Sequence, residues 1–295
     1  MTARRALAVV VVAAAMVALA GCTDPPEPTG EVVVTGEAGV APELQYEVPL
    51  EVTGTTVEVI AEGTGPRLVD DRPVLVNFYA ESGADGSLIN ETFTSEPRPY
   101  LLSAEALGVD IYQALRGQRV GSRILHVVPP GEGQSAATVA VFDILPTRAD
   151  GEVVAPREGL PTVTLDDHGA PTITVPATPP PTDLVIQPLL RGTGPQVAVG
   201  QVITVQFVGV TWSDGAVFDS TWADGRLPAS FPIGVRSVID GWDSGLVEQP
   251  VGSQVLLVVP PALAYGGSGD ELSEETLVFV VDILSAVGGP ATAEP

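Results

Sequence analysis

The stretch Ile203–Val208, reading ITVQFV, alternates Ile203, Val205 and Phe207 with Thr204, Gln206 and Val208. That period of two puts alternate side chains on opposite faces of a β-strand. Farther along, Leu277, Phe279, Val281 and Ile283 share one face in the same way. Val255–Val259 is an unbroken apolar run closed by Pro260 and Pro261, the pattern of a buried strand leaving its sheet at a proline stop. Only Gly241–Val247 reads as helix. These signals predict an α+β fold in which a curled antiparallel β-sheet wraps around one short α-helix on its concave face.

The same pattern occurs twice. Gly63, Thr64, Gly65 and Pro66 recur as Gly192, Thr193, Gly194 and Pro195; Asp85 and Gly86 as Asp214 and Gly215; Val120, Gly121 and Ser122 as Val251, Gly252 and Ser253. Val127 to Pro130 matches Val258 to Pro261, and Asp143, Ile144 and Leu145 match Asp282, Ile283 and Leu284. The offset grows from 129 to 131 to 139 residues, so the added residues fall between the matching segments, in loops. The expected organisation is a first copy over residues 48–146, a Pro-rich linker over 147–183, a second copy over 184–287 and a disordered tail over 288–295. Inside the linker, Thr162–Leu165 and Thr172–Val175 alternate on either side of Asp167, His168 and Gly169, which predicts a small hairpin packed on one of the domains.

Ahead of the first copy, Arg4 and Arg5 precede an apolar stretch, Ala6–Ala20, that is short for a bilayer span and reads as a secretory signal peptide over residues 1–21. It ends in Leu19, Ala20, Gly21 and Cys22, which resembles the bacterial lipobox. Cys22 is the chain's single cysteine, so a disulfide within the chain is excluded and lipidation is the expected fate of the thiol. A diacylglycerol on Cys22 with an added acyl chain holds a protein at a membrane. Residues 22–47, rich in Pro, Gly, Thr and Glu, are expected to be a flexible tether. The expected location is the extracytoplasmic face of the cell membrane.

The chain has 37 acidic against 13 basic residues, a net charge of −24, and no lysine. Nucleic acid is excluded as a partner on charge, and attachment to anionic lipid through a basic patch is excluded with it. Without lysine there is no phosphate-binding loop of the Gly-x-x-x-x-Gly-Lys type. The two histidines, His126 and His168, stand far apart with no cysteine beside them, so no metal site is expected, and no cofactor. The acidic pairs Asp70–Asp71 and Glu274–Glu275 lie in no Asp-x-Asp-x-Asp-Gly frame and read as solvated faces.

Asp214 and Gly215 followed by Phe218, Asp219 and Ser220, then Val238, Ile239, Asp240, Gly241 and Trp242, then Ala264, Tyr265 and Gly266 resemble the signature of FKBP-type peptidyl-prolyl cis/trans isomerases. The resemblance covers about Leu189 to Leu284 and rests on several separated motifs in order. It implies a half-barrel with Trp242 at the pocket floor and Phe207, Phe218, Phe231 and Phe279 on the walls. Val238 and Ile239 would form the rim, Tyr265 and Asp219 the polar contacts, and Arg226 would sit beside Asp219. Asp219, Tyr265, Phe218 and Trp242 are then the catalytic set. Phe207, Arg226, Phe231, Val238, Ile239, Leu272 and Phe279 would bind substrate. The implied partners are Xaa-Pro segments of exported proteins whose folding the enzyme assists, and macrolide immunophilin ligands.

Two departures from the family pattern predict fewer substrate contacts. Ala229 stands where a pocket phenylalanine is usual, and the loop Asp270–Glu275 is short and acidic, with Leu272 its one apolar residue able to touch substrate. The first copy departs further: Ile89 and Asn90 replace Phe218 and Asp219, Ile111 replaces Trp242, and Gly131, Glu132 and Gly133 replace the tyrosine loop. It is expected to keep the fold as a degenerate copy without the catalytic set. Two readings of the whole therefore stand: an isomerase, or a non-catalytic module that uses the same groove to hold proline-containing segments or a surface partner.

Overall fold

A computed structural model describes residues 30–131 and 134–289. The expected signal peptide, Cys22, the start of the tether, Glu132 and Gly133, and the tail from Pro290 onward lie outside the described residues.

The described chain opens with a two-stranded hairpin, β1 (Val33–Thr35) and β2 (Glu43–Gln45). There follow β3 (Thr56–Ala61), β4 (Pro73–Ser82), β5 (Leu88–Glu91), β6 (Arg98–Leu101), helices α1 (Ala104–Leu107) and α2 (Val109–Leu115), β7 (Arg123–Val128) and β8 (Thr138–Leu145). They form an antiparallel sheet of order β3-β7-β8-β4-β5, with β6 also paired to β4. After β9 (Glu152–Val153) comes a second hairpin, β10 (Thr162–Leu165) and β11 (Pro171–Thr174). The second sheet is built from β12 (Val185–Arg191), β13 (Gln201–Thr211), β14 (Val217–Ser220), β15 (Ala229–Pro232), helix α3 (Asp240–Leu246), β16 (Gln254–Val259) and β17 (Leu277–Gly288). Its order is β14-β13-β17-β16-β12-β9, with β15 also paired to β13. Apart from the extra edge strand β9, the strand order and the antiparallel pairing are the same in both sheets.

Matching residues make matching contacts. Gly63 N–H donates to Ser122 Oγ at 2.9 Å, and Gly192 N–H to Ser253 Oγ at 2.9 Å. A Cβ on Gly63 would lie 2.3 Å from Val120 O, and one on Gly192 2.2 Å from Val251 O, so the backbone crossing admits only glycine. This crossing is the physical reason the Gly-Thr-Gly-Pro motif appears twice.

The second sheet is buried on both faces. Ile203, Val205, Phe207, Leu257, Phe279 and Val281 pack on the side that carries Trp242 and Leu246 of α3. Val208, Val210, Leu256, Val258, Val278 and Val280 pack on the other side, against Ile173 and Val163 of the β10–β11 hairpin. A strand covered on both faces has no polar alternate positions, which is why Val255–Val259 reads as a continuous apolar run. The hairpin expected in the linker is thus a lid over the outer face, and β9 of the same linker adds an edge strand beside β12.

Two expectations need correction. The stretch assigned to a flexible tether folds from residue 30 onward: Val34, Leu44 and Tyr46 of the first hairpin cover Leu125, Val127, Val139 and Val141 on the outer face of the first sheet. Its few apolar residues cannot form a core alone, but β7 and β8 supply the other half. In the first copy the expected single helix is two. Ser103 Oγ caps α1 by accepting from Ala106 N–H at 3.2 Å, and Gly108, at φ 77°, breaks the chain before α2.

Candidate functional site

Four elements of the second sheet and helix α3 each deliver one aromatic ring to a single point. Phe207 sits on β13, Phe218 on β14, Phe231 on β15, Phe279 on β17 and Trp242 in the first turn of α3. Trp242 meets Phe207, Phe231 and Phe279 edge to face, with centroids 5.2, 5.5 and 5.5 Å apart and interplanar angles of 88°, 84° and 82°. Phe218 meets Phe279 at 5.5 Å and 88°. Perpendicular packing sets the electropositive edge of one ring against the electron-rich face of the next, and it leaves a walled space that stacked rings would close. The space is a cavity of about 540 Å³, of the size that takes a small ligand or a short peptide segment.

The rings are fixed from behind. Thr221 Oγ1 accepts from Phe207 N–H at 2.8 Å, clamping β13 to the end of β14. The rim is held by α3: Asp243 Oδ1 accepts from Gly234 N–H at 2.7 Å and Oδ2 from Arg236 N–H at 2.6 Å. Arg236 sits at φ 62°, a left-handed conformation uncommon outside glycine, and the two Asp243 bonds hold it there. Val238 and Ile239 continue this rim to the start of α3.

Five of the lining side chains are polar. Tyr265 is 37% exposed and faces the cavity, and burial, then the charges of Asp270 and Asp219, raise its pKa above the ordinary phenol value. Its hydroxyl therefore remains a donor at neutral pH. Asp219 also lines the cavity and accepts from Arg226 Nη2 at 3.1 Å; both side chains are about half exposed, so this pair orients more than it stabilises. Trp242 is 4% exposed, and its indole N–H has no acceptor among the described residues.

Of the residues expected at this site, Phe207, Phe218, Asp219, Phe231, Val238, Ile239, Trp242, Tyr265 and Phe279 line the one cavity. Leu272 does not: it packs half-buried against the core of the second sheet, because Asp270 Oδ1 accepts its N–H at 2.9 Å and turns the loop inward. Arg226 reaches the site only through Asp219 and itself lines a different cavity. Arg236, Ser237, Asp240 and Ala264 also line the aromatic cavity; their position beside Val238 and Tyr265 was the available signal. In the first copy Ile89 and Asn90 are exposed on β5, and Ile111 packs with Tyr112 against the first core. Among the described residues no group of three or more metal-ligating side chains occurs.

Residues 194–284 match the family model for FKBP-type peptidyl-prolyl cis-trans isomerase. The chain is 40% identical over 119 residues to an FK506-binding protein of Streptomyces anulatus, an alignment that spans 39% of this chain and 95% of that one. It is 41% identical over 118 residues to a probable FK506-binding protein of Corynebacterium glutamicum, spanning 39% and 98%. This chain belongs to the FKBP-type peptidyl-prolyl cis-trans isomerase family. It is an isomerase of Xaa-Pro peptide bonds, and the aromatic cavity lies inside the matched segment. Among solved structures, AtFKBP13 is similar at 33% identity, with 36% of this chain and 94% of that one covered and a TM-score of 0.31. The first sheet lies wholly outside the segment matched to the FKBP model.

Proposed function

We propose that this isomerase is an exported protein anchored by lipid on Cys22, and that it turns Xaa-Pro segments of extracytoplasmic proteins inside the Trp242 cavity. The observation that carries the catalytic part is the box of four phenylalanines around Trp242, with Tyr265 and Asp219 among the polar side chains that line the same cavity. Rotation about the Xaa-Pro amide meets a barrier of about 18–20 kcal/mol because twisting removes the resonance of the C–N bond. The twisted amide has less charge separation than the planar one, so a dry aromatic wall favours it relative to the ground state. No nucleophile or general base takes part. Val238 and Ile239 seat the segment at the rim, Tyr265 donates to a substrate carbonyl, and Asp219, oriented by Arg226, faces the same amide. We take each sheet as a half-barrel closed by its helices, the second copy as the enzyme and the first as a degenerate partner.

Support for export lies in the signal-peptide pattern ending at Cys22 and in the net charge, which leaves no basic surface for membrane contact. Among the described residues no helix is long and apolar enough to cross a membrane.

The test is isomerisation of a Xaa-Pro peptide by the full chain and by Trp242→Ala and Tyr265→Phe variants, with fractionation of cells carrying Cys22→Ser. Trp242→Ala is expected to remove activity, Tyr265→Phe to lower turnover more than affinity, and Cys22→Ser to move the protein from membrane to soluble fractions. Binding of proline peptides without acceleration by the intact chain would put the cavity in the binding-module class instead. An unaltered membrane fraction for Cys22→Ser would refute the anchor.

A further inference from the structure

Asp143 and Asp282 occupy the same position in the two sheets, and their surroundings differ in one respect. In the first copy the buried Arg123 guanidinium fills a complete site. Its Nε and Nη2 donate to Asp143 Oδ1 and Oδ2 at 2.6 and 2.7 Å, and Nη1 and Nη2 donate to Gly36 O and Val40 O at 2.9 and 2.6 Å. The Phe93 ring lies 5.9 Å from the guanidinium carbon. Arg123 is opposite Asp143 in the β7–β8 register, and the residue opposite Asp282 in the β16–β17 register is Gln254.

Gln254 cannot replace the guanidinium. It gives one bond, Nε2 to Asp282 Oδ1 at 2.8 Å. Everything else that held the guanidinium has a counterpart: at the offset of 129, Gly36, Val40 and Phe93 correspond to Leu165, Gly169 and Trp222. These three residues, with Asp282 and Gln254, line one cavity of about 870 Å³ between the two sheets. A second observation points the same way. Gln206, 2% exposed, lines the cavity, and its Oε1 is buried without a partner among the described residues, an acceptor awaiting a donor.

We propose that this cavity binds a guanidinium group supplied from outside the chain, an arginine side chain or a free alkylguanidinium, with Asp282 as its anion and Trp222 as its aromatic wall. A guanidinium presents planar N–H donors in a fork that matches a carboxylate, and its face stacks on an indole; a compact ammonium does neither as well. Asp282 is 1% exposed, accepts from Ala149 N–H at 2.8 Å, and has no basic group within 4 Å among the described residues. Burial without a cation pushes its pKa up to about 6. Arg148 is the nearest charge of opposite sign; its side chain is exposed, and both its stem and its Nη1 lie against Gly169, so it is the chain's own competitor for the site. Seven aspartates line the cavity against four arginines, Arg67, Arg72, Arg148 and Arg226, and the turn facing Asp282 carries Asp166 and Asp167, so the balance favours a cation over an anion.

The test is a titration of the full chain with n-butylguanidinium at pH 8, where Asp282 is ionised, followed through the indole N–H resonances of its three tryptophans. A saturable shift of the Trp222 signal is expected, with Trp242 unmoved. Asp282→Asn should weaken binding by about tenfold or more. Gln254→Arg should abolish it by filling the site as Arg123 fills the first, and this second variant keeps the test decisive if the first is poorly folded. n-Butylammonium should bind more weakly. A tripeptide Gly-Arg-Gly that binds as tightly as n-butylguanidinium assigns the site to polypeptide arginines; binding of n-butylguanidinium alone assigns it to a small molecule. No saturable shift overturns the proposal. So does equal binding of the ammonium, or binding seen only in Arg148→Ala, which would assign the site to the chain's own arginine. Isomerase activity is measured in parallel and reports separately on the aromatic cavity.

Discussion

Gly209→Ala tests whether the aromatic box depends on its walls and not only on Trp242. Gly209 lies near the C-terminal end of β13, opposite Asp219 on β14 and Phe279 on β17. A Cβ there would stand 2.6 Å from Phe218 Cζ, 3.1 Å from Phe218 Cε1 and 3.0 Å from Phe279 Cε1. The strand cannot recede, because both its edges are hydrogen-bonded and Val208 and Val210 are locked into the opposite core. Phe279 is buried and pinned against Trp242, so the half-exposed Phe218 must give way. Forcing one methyl into a packed contact costs about 1–3 kcal/mol, part of it the lost Phe218–Phe279 edge-to-face pair at about 0.5–1.5 kcal/mol. A wall displaced by about 1 Å at a positioning site lowers turnover by up to about a hundredfold. The expected result is a folded protein, destabilised by no more than a few kcal/mol in urea, whose kcat/KM on a Xaa-Pro peptide falls by between about tenfold and a hundredfold. Unchanged stability together with unchanged kcat/KM would refute the reasoning, since it would show that Phe218 forms no part of the working wall.

The buried pair Arg123–Asp143, at 2.6 Å with both side chains almost fully enclosed, should make Arg123→Met cost about 3–5 kcal/mol by leaving Asp143 uncompensated; thermal melting measures it, and the double variant Arg123→Met, Asp143→Leu should recover a large part. Asp282 has a folded-state pKa of about 6, above the roughly 4 of an unfolded aspartate, so the folded state binds the proton more tightly. Its contribution to stability is therefore fully present below pH 4 and lost as pH rises through 6, a slope that melting between pH 4 and 7 should show and that Asp282→Asn should flatten.

Much of this architecture was legible because the signals are steric. Gly63 and Gly192 must be glycine where backbones cross, and alternation in Ile203–Val208 follows from the pleat. The aromatic set was legible only through the family resemblance: Phe218 and Trp242 stand in its motifs, whereas Phe207 and Phe279 alone read as ordinary strand core. What was missed depends on contacts distant in sequence. Val34 and Leu44 are too sparse to declare a hairpin, and only the apolar outer face of β7 and β8, about 90 residues on by sequence number, gives them a partner. Leu272 is the one apolar residue of its loop, and nothing in the sequence shows that Asp270 turns its backbone inward. The rim held by Asp243 is likewise invisible in sequence, because a carboxylate one residue after Trp242 reads as helix surface until its two bonds to Gly234 and Arg236 are seen.

The first sheet keeps the frame of the second with other residues at the positions of the aromatic box. The framework contacts are unchanged: Thr92 Oγ1 accepts from Phe78 N–H at 2.9 Å as Thr221 Oγ1 does from Phe207, and the two serine clamps are equivalent. The pocket contacts are redistributed. Ala140 stands at the position of Phe279, and the aromatic ring reappears two residues on, as Phe142 at the position of Val281. Because the side-chain period is two, Phe142 points to the same face as Ala140, but farther along the sheet. There it packs against Phe78 at 6.3 Å and a tilted 43°, and takes its place in the core beside Leu115 and Ile124. Ile111 stands where Trp242 would be and packs half-buried against that core. Rebuilding the aromatic box there would need a tryptophan at 111 and a phenylalanine at 89 together with exchange of the residues at 140 and 142. Ile111→Trp alone should overpack the site and destabilise the first copy by about 1–3 kcal/mol without adding isomerase activity.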